Sequence, residues 1–104
     1  MKRGEIRWYK FNSPDKRRPV LILSRNAVIE YLGEITVAPI TTTVRDIPSE
    51  VFLSAAEEGV PTNCAVNFDH IQTVSKAKIG ALITALRPSK MEQVSEAIAF
   101  ALDL

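Results

Sequence analysis

The stretch Arg17-Arg18-Pro19-Val20-Leu21-Ile22-Leu23-Ser24 decides the fold of this chain. Four consecutive aliphatic residues, bounded by turn-forming residues, predict a β-strand that is buried on both faces. The proline is compatible with this prediction, because the first residue of a strand can lack a backbone donor. Two arginines therefore stand at the entrance of a buried strand, at the rim of a sheet. Taken alone, they fit gatekeepers against aggregation as well as members of a functional site.

The composition predicts a small globular protein. The 104 residues, of which 46% are hydrophobic and 24% charged, give room for one domain over 1–104 with a real core. No apolar run reaches the roughly 20 residues of a membrane span, and no signal peptide is visible. One cysteine, Cys64, and one histidine speak against an internal disulfide and a structural zinc site. We therefore expect a cytoplasmic protein with no membrane contact, no metal and no cofactor.

The net charge of +1 limits how the chain could bind nucleic acid. Any such binding must come from a local patch of cations and not from a global field. We expect one cationic rim, formed by Lys10, Lys16, Arg17, Arg18 and Arg45. Phe11 and Phe68 are candidate stacking surfaces for bases, although the core is the favoured place for Phe68.

Most of the chain predicts short strands. Alternating or continuous apolar residues predict them over 5–11, 18–24, 34–40, 50–53, 64–74 and 79–86. Turns are expected over 12–16 and 75–78, loops over 44–48 and 55–61, and a helical turn over 26–32. Pro39 should mark a bulge or a sheet edge.

The C-terminal segment predicts a helix over 89–102. Ser89 and Glu92 have the spacing of a capping box. Apolar residues then recur at helical spacing, at Met91, Val94, Ile98, Ala101 and Leu102. The expected fold class is mainly β with a C-terminal helix (α+β). Five or six strands should form a small, strongly curved antiparallel sheet that closes partly into a barrel.

Polar residues form three candidate groups for a site. They are Arg17 with Arg18, Thr41 with Thr42, and the run 67–73, Asn-Phe-Asp-His-Ile-Gln-Thr. No Ser/His/Asp relay, phosphate loop or zinc motif is found. Asp69 and His70 are neighbours on a predicted strand, so they should point to opposite faces and cannot form a simple dyad unless a bulge intervenes. Guanidinium and hydroxyl groups together suit a phosphate group.

Four motifs, in order along nearly the whole chain, resemble the MazF/PemK toxins. They are Arg3-Gly4-Glu5-Ile6 with Trp8, Arg18-Pro19 through Ser24, Val37-Ala38-Pro39-Ile40-Thr41, and Asp69-His70-Ile71-Gln72-Thr73. The closing Leu86-Arg87-Pro88 is similar too. The resemblance implies the fold that this family shares with the CcdB toxin, and a homodimer.

The resemblance also implies a function. It is that of an mRNA interferase: a sequence-specific, metal-independent endoribonuclease that cuts single-stranded mRNA. The products would carry 2′,3′-cyclic phosphate and 5′-hydroxyl ends, because the 2′-oxygen of the substrate attacks the phosphorus. A cognate antitoxin would inhibit the toxin, and any contact with DNA would be made only through that antitoxin. The alternative is a non-catalytic toxin or binding module of the same fold that acts on a protein target, as CcdB-type toxins do.

The candidate site residues combine matches to the family with residues chosen for their own chemistry. The candidate catalytic residues are Arg18, Thr41 and Asp69, which match the family, and His70; the candidate RNA-binding residues are Glu5, Lys16, Arg17, Thr42, Arg45, Asn67 and Gln72. We expect Arg18 to stabilise transition-state charge, since the pKa of arginine exceeds about 12. Thr41 would donate to a phosphate oxygen. Asp69 would act as a base or read RNA, or would only cap a neighbouring loop.

The chain departs from the family pattern at three places. His70 stands where glutamine is common, so it would share proton transfer or change the RNA sequence that is read, or it is structural. Asn67 and Gln72 replace basic residues. The hairpin loop 12–17 is shorter than usual. The RNA sequence that is cut therefore does not follow from the resemblance.

Overall fold

A computed structural model describes residues 1–10 and 16–104, and it contains seven strands over that part of the chain. The strands are β1 (Glu5–Lys10), β2 (Arg17–Ile22), β3 (Glu34–Thr41), β4 (Glu50–Leu53), β5 (Cys64–Asn67), β6 (Gln72–Ser75) and β7 (Ile79–Ala85). The α-helices are α1 (Asn26–Ile29), α2 (Ala55–Glu58) and α3 (Pro88–Leu102), and Phe68–His70 and Lys76–Lys78 are 3₁₀ turns. Phe11 and the predicted turn over 12–15 lie outside the described residues.

The strands form one curled antiparallel sheet in the order β4-β5-β3-β2-β1-β7, with β6 pairing to β3 beside β5. The prediction of a curved antiparallel half-barrel with a C-terminal helix is confirmed, with more strands than expected. The central strand β3 changes its partner along its length, from β6 over Glu34–Val37 to β5 at Ile40 and Thr41. Pro39 lies in the gap between the two partners, where a missing backbone donor is tolerated.

The strand β2 is buried on both faces, as the sequence predicts. Leu21 packs into one core cluster together with Ile6, whereas Val20 and Ile22 pack into a second cluster. Val20, Leu21 and Ile22 are all 0% exposed. Burial on both faces therefore holds β2 in place, while its first two residues, Arg17 and Arg18, remain exposed at the rim.

The helix α3 covers the cluster that contains Leu21, but it begins differently from the prediction. Its N-cap is Arg87, with Pro88 in the first turn, and no side chain caps it. A proline is pre-organised for the first helical position, so the helix begins before Ser89 and the predicted capping box is wrong. The apolar stripe is also wrong at Leu102, which is 53% exposed, whereas Ala97 is buried.

The predicted long strand over 64–74 is broken by the turn Phe68–His70. The side chain of Asn67 accepts a hydrogen bond from the backbone N–H of Asp69 at 2.9 Å, which starts the turn. Phe68 is 1% exposed and anchors the turn in the core, as expected. Asp69 and His70 therefore do not lie on a strand, and the prediction that they face opposite sides of one is wrong.

The predicted loop over 55–61 contains the helix α2. The hydroxyl of Ser54 accepts from the N–H of Glu57 at 3.1 Å, and Gly59 ends the helix with φ of 76°. Glycine adopts this left-handed conformation without strain. Among the described residues, none of the helices is long and apolar enough to cross a membrane.

Candidate functional site

Arg18 lies at the start of β2 and Thr41 at the end of β3. Each stands two residues beyond the last pair between these strands, Val20 with Pro39. The side chain of Arg18 is exposed and makes no hydrogen bond or ion pair with any residue that the structure describes. The hydroxyl oxygen of Thr41 accepts from the N–H of Thr43 at 3.1 Å, which leaves its proton free for donation. A guanidinium group and a hydroxyl donor thus stand at one point of the rim.

Arg18 also borders a pocket of about 200 Å³, called the Trp8 pocket below. Its walls above the core are formed by Trp8, Arg18, Pro19, Thr42, Pro61 and Thr62. The lining is mostly apolar, with the two threonine hydroxyls and the guanidinium as its polar groups. Sequence reasoning did not place Trp8, Pro61 or Thr62 in the site. For Trp8, the signal was available, since it shares a strand face with Ile6 and sits opposite Pro19.

The cations of the predicted rim fall into two groups. The guanidinium of Arg17 lies 4.7 Å from the centre of the Trp8 ring, in a cation–π contact beside the pocket. Lys10 pairs with Arg17 across the hairpin, and Lys16 is exposed next to it. Arg45 is different, because its guanidinium lies 3.1 Å from the buried carboxylate of Glu50. Its charge is therefore compensated locally.

Asp69 and His70 lie in the turn Phe68–His70. This turn joins β5 to β6 at the place where β3 changes its partner from one to the other. The carboxylate of Asp69 accepts from the hydroxyl of buried Ser49 at 2.6 Å. His70 is exposed. Within the described residues, no hydrogen bond joins Asp69 or His70 to Arg18 or Thr41. The structure therefore brings Arg18, Thr41 and Thr42 to the rim, and it holds Asp69 in a local hydrogen-bonded turn.

The remaining predicted contact residues have separate surroundings. Asn67 caps the turn, and Gln72 is exposed on β6 opposite Val37. Glu5 accepts from the Nε of Arg7 and from the N–H of Lys2, both at 2.9 Å. Burial raises the pKa of the Glu5 carboxyl, but these two hydrogen bonds and the nearby charges outweigh it, so the pKa lies below its usual value.

A second charged cluster was not anticipated from the sequence. The side chain of Glu58 is only 2% exposed, and its carboxylate accepts from Arg87 at 2.7 and 3.3 Å. The ammonium group of Lys90 lies 3.9 Å away. The hydrogen bond to Glu58 raises the pKa of the Arg87 guanidinium. No pattern signals such a pair, because glutamate is seldom buried and its partner lies 29 residues away.

Cys64 lies beneath the Trp8 pocket, and burial raises the pKa of its thiol, which therefore stays neutral. Over residues 1–10 and 16–104, no group of three His, Cys, Asp or Glu side chains is placed to hold a metal ion. The cations and threonine hydroxyls at the rim suit an anionic ligand.

Comparison with known sequences gives full-length similarity. Residues 2–102 match the family described as PemK-like, MazF-like toxin of type II toxin–antitoxin system. The probable endoribonuclease MazF2 of Mycobacterium tuberculosis is 37% identical over 98 residues, which is 94% of each chain. The endoribonuclease MazF3 of the same species is 43% identical over 90 residues, 86% of each chain.

Solved structures are similar over the same length. The M. tuberculosis toxin MazF-mt6 superposes with a TM-score of 0.86 at 40% identity, covering 96% of this chain and 97% of that one. An endoribonuclease in complex with its cognate antitoxin, from a mycobacterial species, gives a TM-score of 0.87 at 29% identity. That comparison covers 100% of this chain and 96% of the other.

Proposed function

Because this chain belongs to the family of PemK-like, MazF-like toxins of type II toxin–antitoxin systems, we propose that it is an endoribonuclease that cuts single-stranded mRNA at short sequences. The observation that carries the proposal is the 43% identity over 90 residues to a protein named as an endoribonuclease. The geometry of the rim supports it, since Arg18 and Thr41 are the donors that a phosphodiester requires.

The proposed reaction uses a nucleophile that the substrate itself carries. The 2′-oxygen of the ribose attacks the adjacent phosphorus, and the bond from phosphorus to the 5′-oxygen breaks. The products are a 2′,3′-cyclic phosphate and a 5′-hydroxyl. No metal is required, because Arg18 supplies the positive charge and Thr41 a hydrogen bond to the developing oxyanion. Arg18 does not take the proton, since a guanidinium stays charged in proteins.

Proton transfer is the proposed task of Asp69 and His70. An RNA strand that runs from Arg18 along the gap beside β3 would reach the turn Phe68–His70. The hydroxyl of Ser49 already fixes one oxygen of Asp69, and the imidazole of His70 is exposed to a bound strand. Lys16, Arg17 and Thr42 would bind the strand beside the pocket, Asn67 and Gln72 beside the turn. Glu5 and Arg45 would contribute less, because each is already paired.

Partners follow from the same family. A solved endoribonuclease of this fold was obtained with its cognate antitoxin. We propose that this chain also has one, whose acidic and apolar tail covers the exposed cations Lys16, Arg17 and Arg18, and that DNA is contacted only through it. The toxin would be a homodimer, and its substrate places it in the cytoplasm.

The test is incubation of purified protein with a long single-stranded RNA in excess EDTA, followed by mapping of the cut ends. We expect discrete cuts with 2′,3′-cyclic phosphate ends, which disappear in Arg18→Ala. Arg25→Ala is the matched control, because Arg25 is exposed at the start of α1 and its side chain has no hydrogen bond in the described structure. Intact RNA with a folded protein would overturn the proposal and favour a toxin that acts on a protein target.

A further inference from the structure

The outer wall of the Trp8 pocket belongs to the segment that contains α2. Pro61 and Thr62 line the pocket, and Val60 anchors the segment in the core with 5% exposure. The segment is closed on itself by the side chain of Asn63, which accepts from the N–H of Ala55 at 2.8 Å. The pocket wall is therefore tied to α2.

Glu58 ties this segment to the junction of β7 and α3. It stands two residues before Val60, and its buried carboxylate accepts two N–H groups from the planar fork of Arg87. A two-point contact of this kind fixes direction as well as distance. Lys90, on the first turns of α3, adds a second cation at 3.9 Å. The carboxylate is thus held by charges from outside its own segment.

The backbone between Glu58 and the pocket wall is short and closely packed. Gly59 has φ of 76°, and a Cβ added there would lie 3.0 Å from the hydroxyl oxygen of Thr84 on β7. The segment therefore approaches β7 closely just before it enters the pocket wall. A displacement of Glu58 is passed on to Val60, Pro61 and Thr62 along this short connection.

We propose that Glu58 and Arg87 are positioning residues, which hold the Pro61–Thr62 wall at the distance from Trp8 that one RNA base beside the cut requires. The proposal rests on the proposed endoribonuclease function. The pocket volume of about 200 Å³ matches the size of a single planar base. Loss of the ion pair widens the pocket, so it weakens RNA binding and loosens the choice of base without touching Arg18.

The first arm of the test measures the pocket directly. Trp8 is the only tryptophan, so acrylamide quenching of its fluorescence reports access to the pocket in the folded protein. We expect Glu58→Gln to raise the quenching constant. Glu57→Gln is the matched control, because Glu57 contacts the same guanidinium at 3.4 Å but its side chain is 70% exposed; it should leave quenching unchanged.

The second arm measures cleavage well below the melting temperature. We expect Glu58→Gln to raise KM on the order of ten-fold, with kcat nearly unchanged and with cuts at additional sequences. Arg87→Gln should do the same, and the double variant should be no worse than either single one, because the pair acts as a unit. If Glu58→Gln fails to fold, Arg87→Lys replaces it, since a lysine keeps the charge but not the fork.

The outcomes separate the two proposals. Unchanged quenching and an unchanged KM overturn the positioning role, even if the melting temperature falls, while the wild type that still cuts RNA keeps its proposed function. A wild type that leaves RNA intact overturns the proposed function. In that case, increased quenching in Glu58→Gln still supports the contact between the ion pair and the wall.

Discussion

Arg18 and Arg87 show two uses of the same side chain in one small protein. The guanidinium of Arg87 is paired with the buried carboxylate of Glu58 at 2.7 Å, whereas exposed Arg18 has no partner among the described residues. The charge of Arg87 is therefore neutralised inside the molecule, whereas the charge of Arg18 is uncompensated, and we propose that it serves a bound RNA. The comparison teaches that the partner of an arginine, more than its exposure, separates a structural role from a catalytic one.

The largest expected effect is the loss of Arg18. Arg18→Ala should lower the RNA cleavage rate about a thousand-fold, because the charge that stabilises the transition state is removed. The melting temperature should hardly change, since a substitution at an exposed and unpaired position typically stays within about 0.5 kcal/mol. Single-turnover cleavage and thermal melting, side by side with Arg25→Ala, measure both. A variant that still cuts at the wild-type rate would place Arg18 with Arg87, among the structural arginines.

The second prediction concerns the hydroxyl of Thr41. Thr41→Val keeps the shape of the side chain but removes its donor, and should slow cleavage on the order of a hundred-fold. The lost hydrogen bond from the N–H of Thr43 should cost about 1 kcal/mol of stability. Thr43→Val is the control, because it leaves the hydroxyl of Thr41 in place. Equal cleavage rates for the two variants would remove Thr41 from the reaction.

The third prediction is that the loss of Arg87 lowers stability more than it lowers cleavage, which is the reverse of the loss of Arg18. Arg87→Ala leaves the carboxylate of Glu58 buried with only Lys90 at 3.9 Å, which is the costly way to break such a pair. We expect the melting temperature to fall on the order of 10 °C. The kcat should change far less than in Arg18→Ala. A kcat loss as large as that of Arg18→Ala, without a loss of stability, would contradict the difference between the two arginines.

The smallest expected effect comes from Glu5, whose partly buried carboxylate is paired with Arg7. Its folded-state pKa is lowered, so its contribution to stability is present above the pKa of the unfolded chain. That contribution is lost as the pH falls through the lowered folded-state pKa. The free energy of unfolding of the wild type should exceed that of Glu5→Gln by less than about 1 kcal/mol at neutral pH, and the difference should vanish in acid. Urea unfolding from neutral pH down to about pH 3 measures it; a difference that grows in acid would contradict the sign.

The fold followed from the sequence wherever a pattern ran over several residues. The aliphatic run of β2 predicted a strand with two buried faces, and alternation predicted most of the other strands. The prediction of one strand over 64–74 was wrong, because a single capping contact, from the amide of Asn67, turns the chain at Phe68. The helix α2 has a cap at Ser54 and a stop at Gly59, but four residues are too few to show a period.

Only those residues of the candidate site that belong to short sequence motifs could be predicted. Arg18 and Thr41 stand in motifs that resemble the family, and each lies two residues beyond the pair of Val20 with Pro39. The pocket wall at Pro61 and Thr62 and the pair of Glu58 with Arg87 arise from contacts between distant parts of the chain. Neither periodicity nor spacing indicates such contacts, because the contacts depend on how the sheet curls.

The two-sided burial of β2 has a consequence for how this protein can evolve. Position 20 is locked by its neighbours on the inner side of the strand, whereas positions 17 and 18, three and two residues earlier, face solvent. At this end of β2, the residues that would contact a target are therefore mutationally uncoupled from the residues that hold the strand in place. In a library of single substitutions sorted only for folding, tolerance should drop abruptly between Pro19 and Val20. A toxin with such a boundary can acquire a new target sequence without first acquiring a new scaffold.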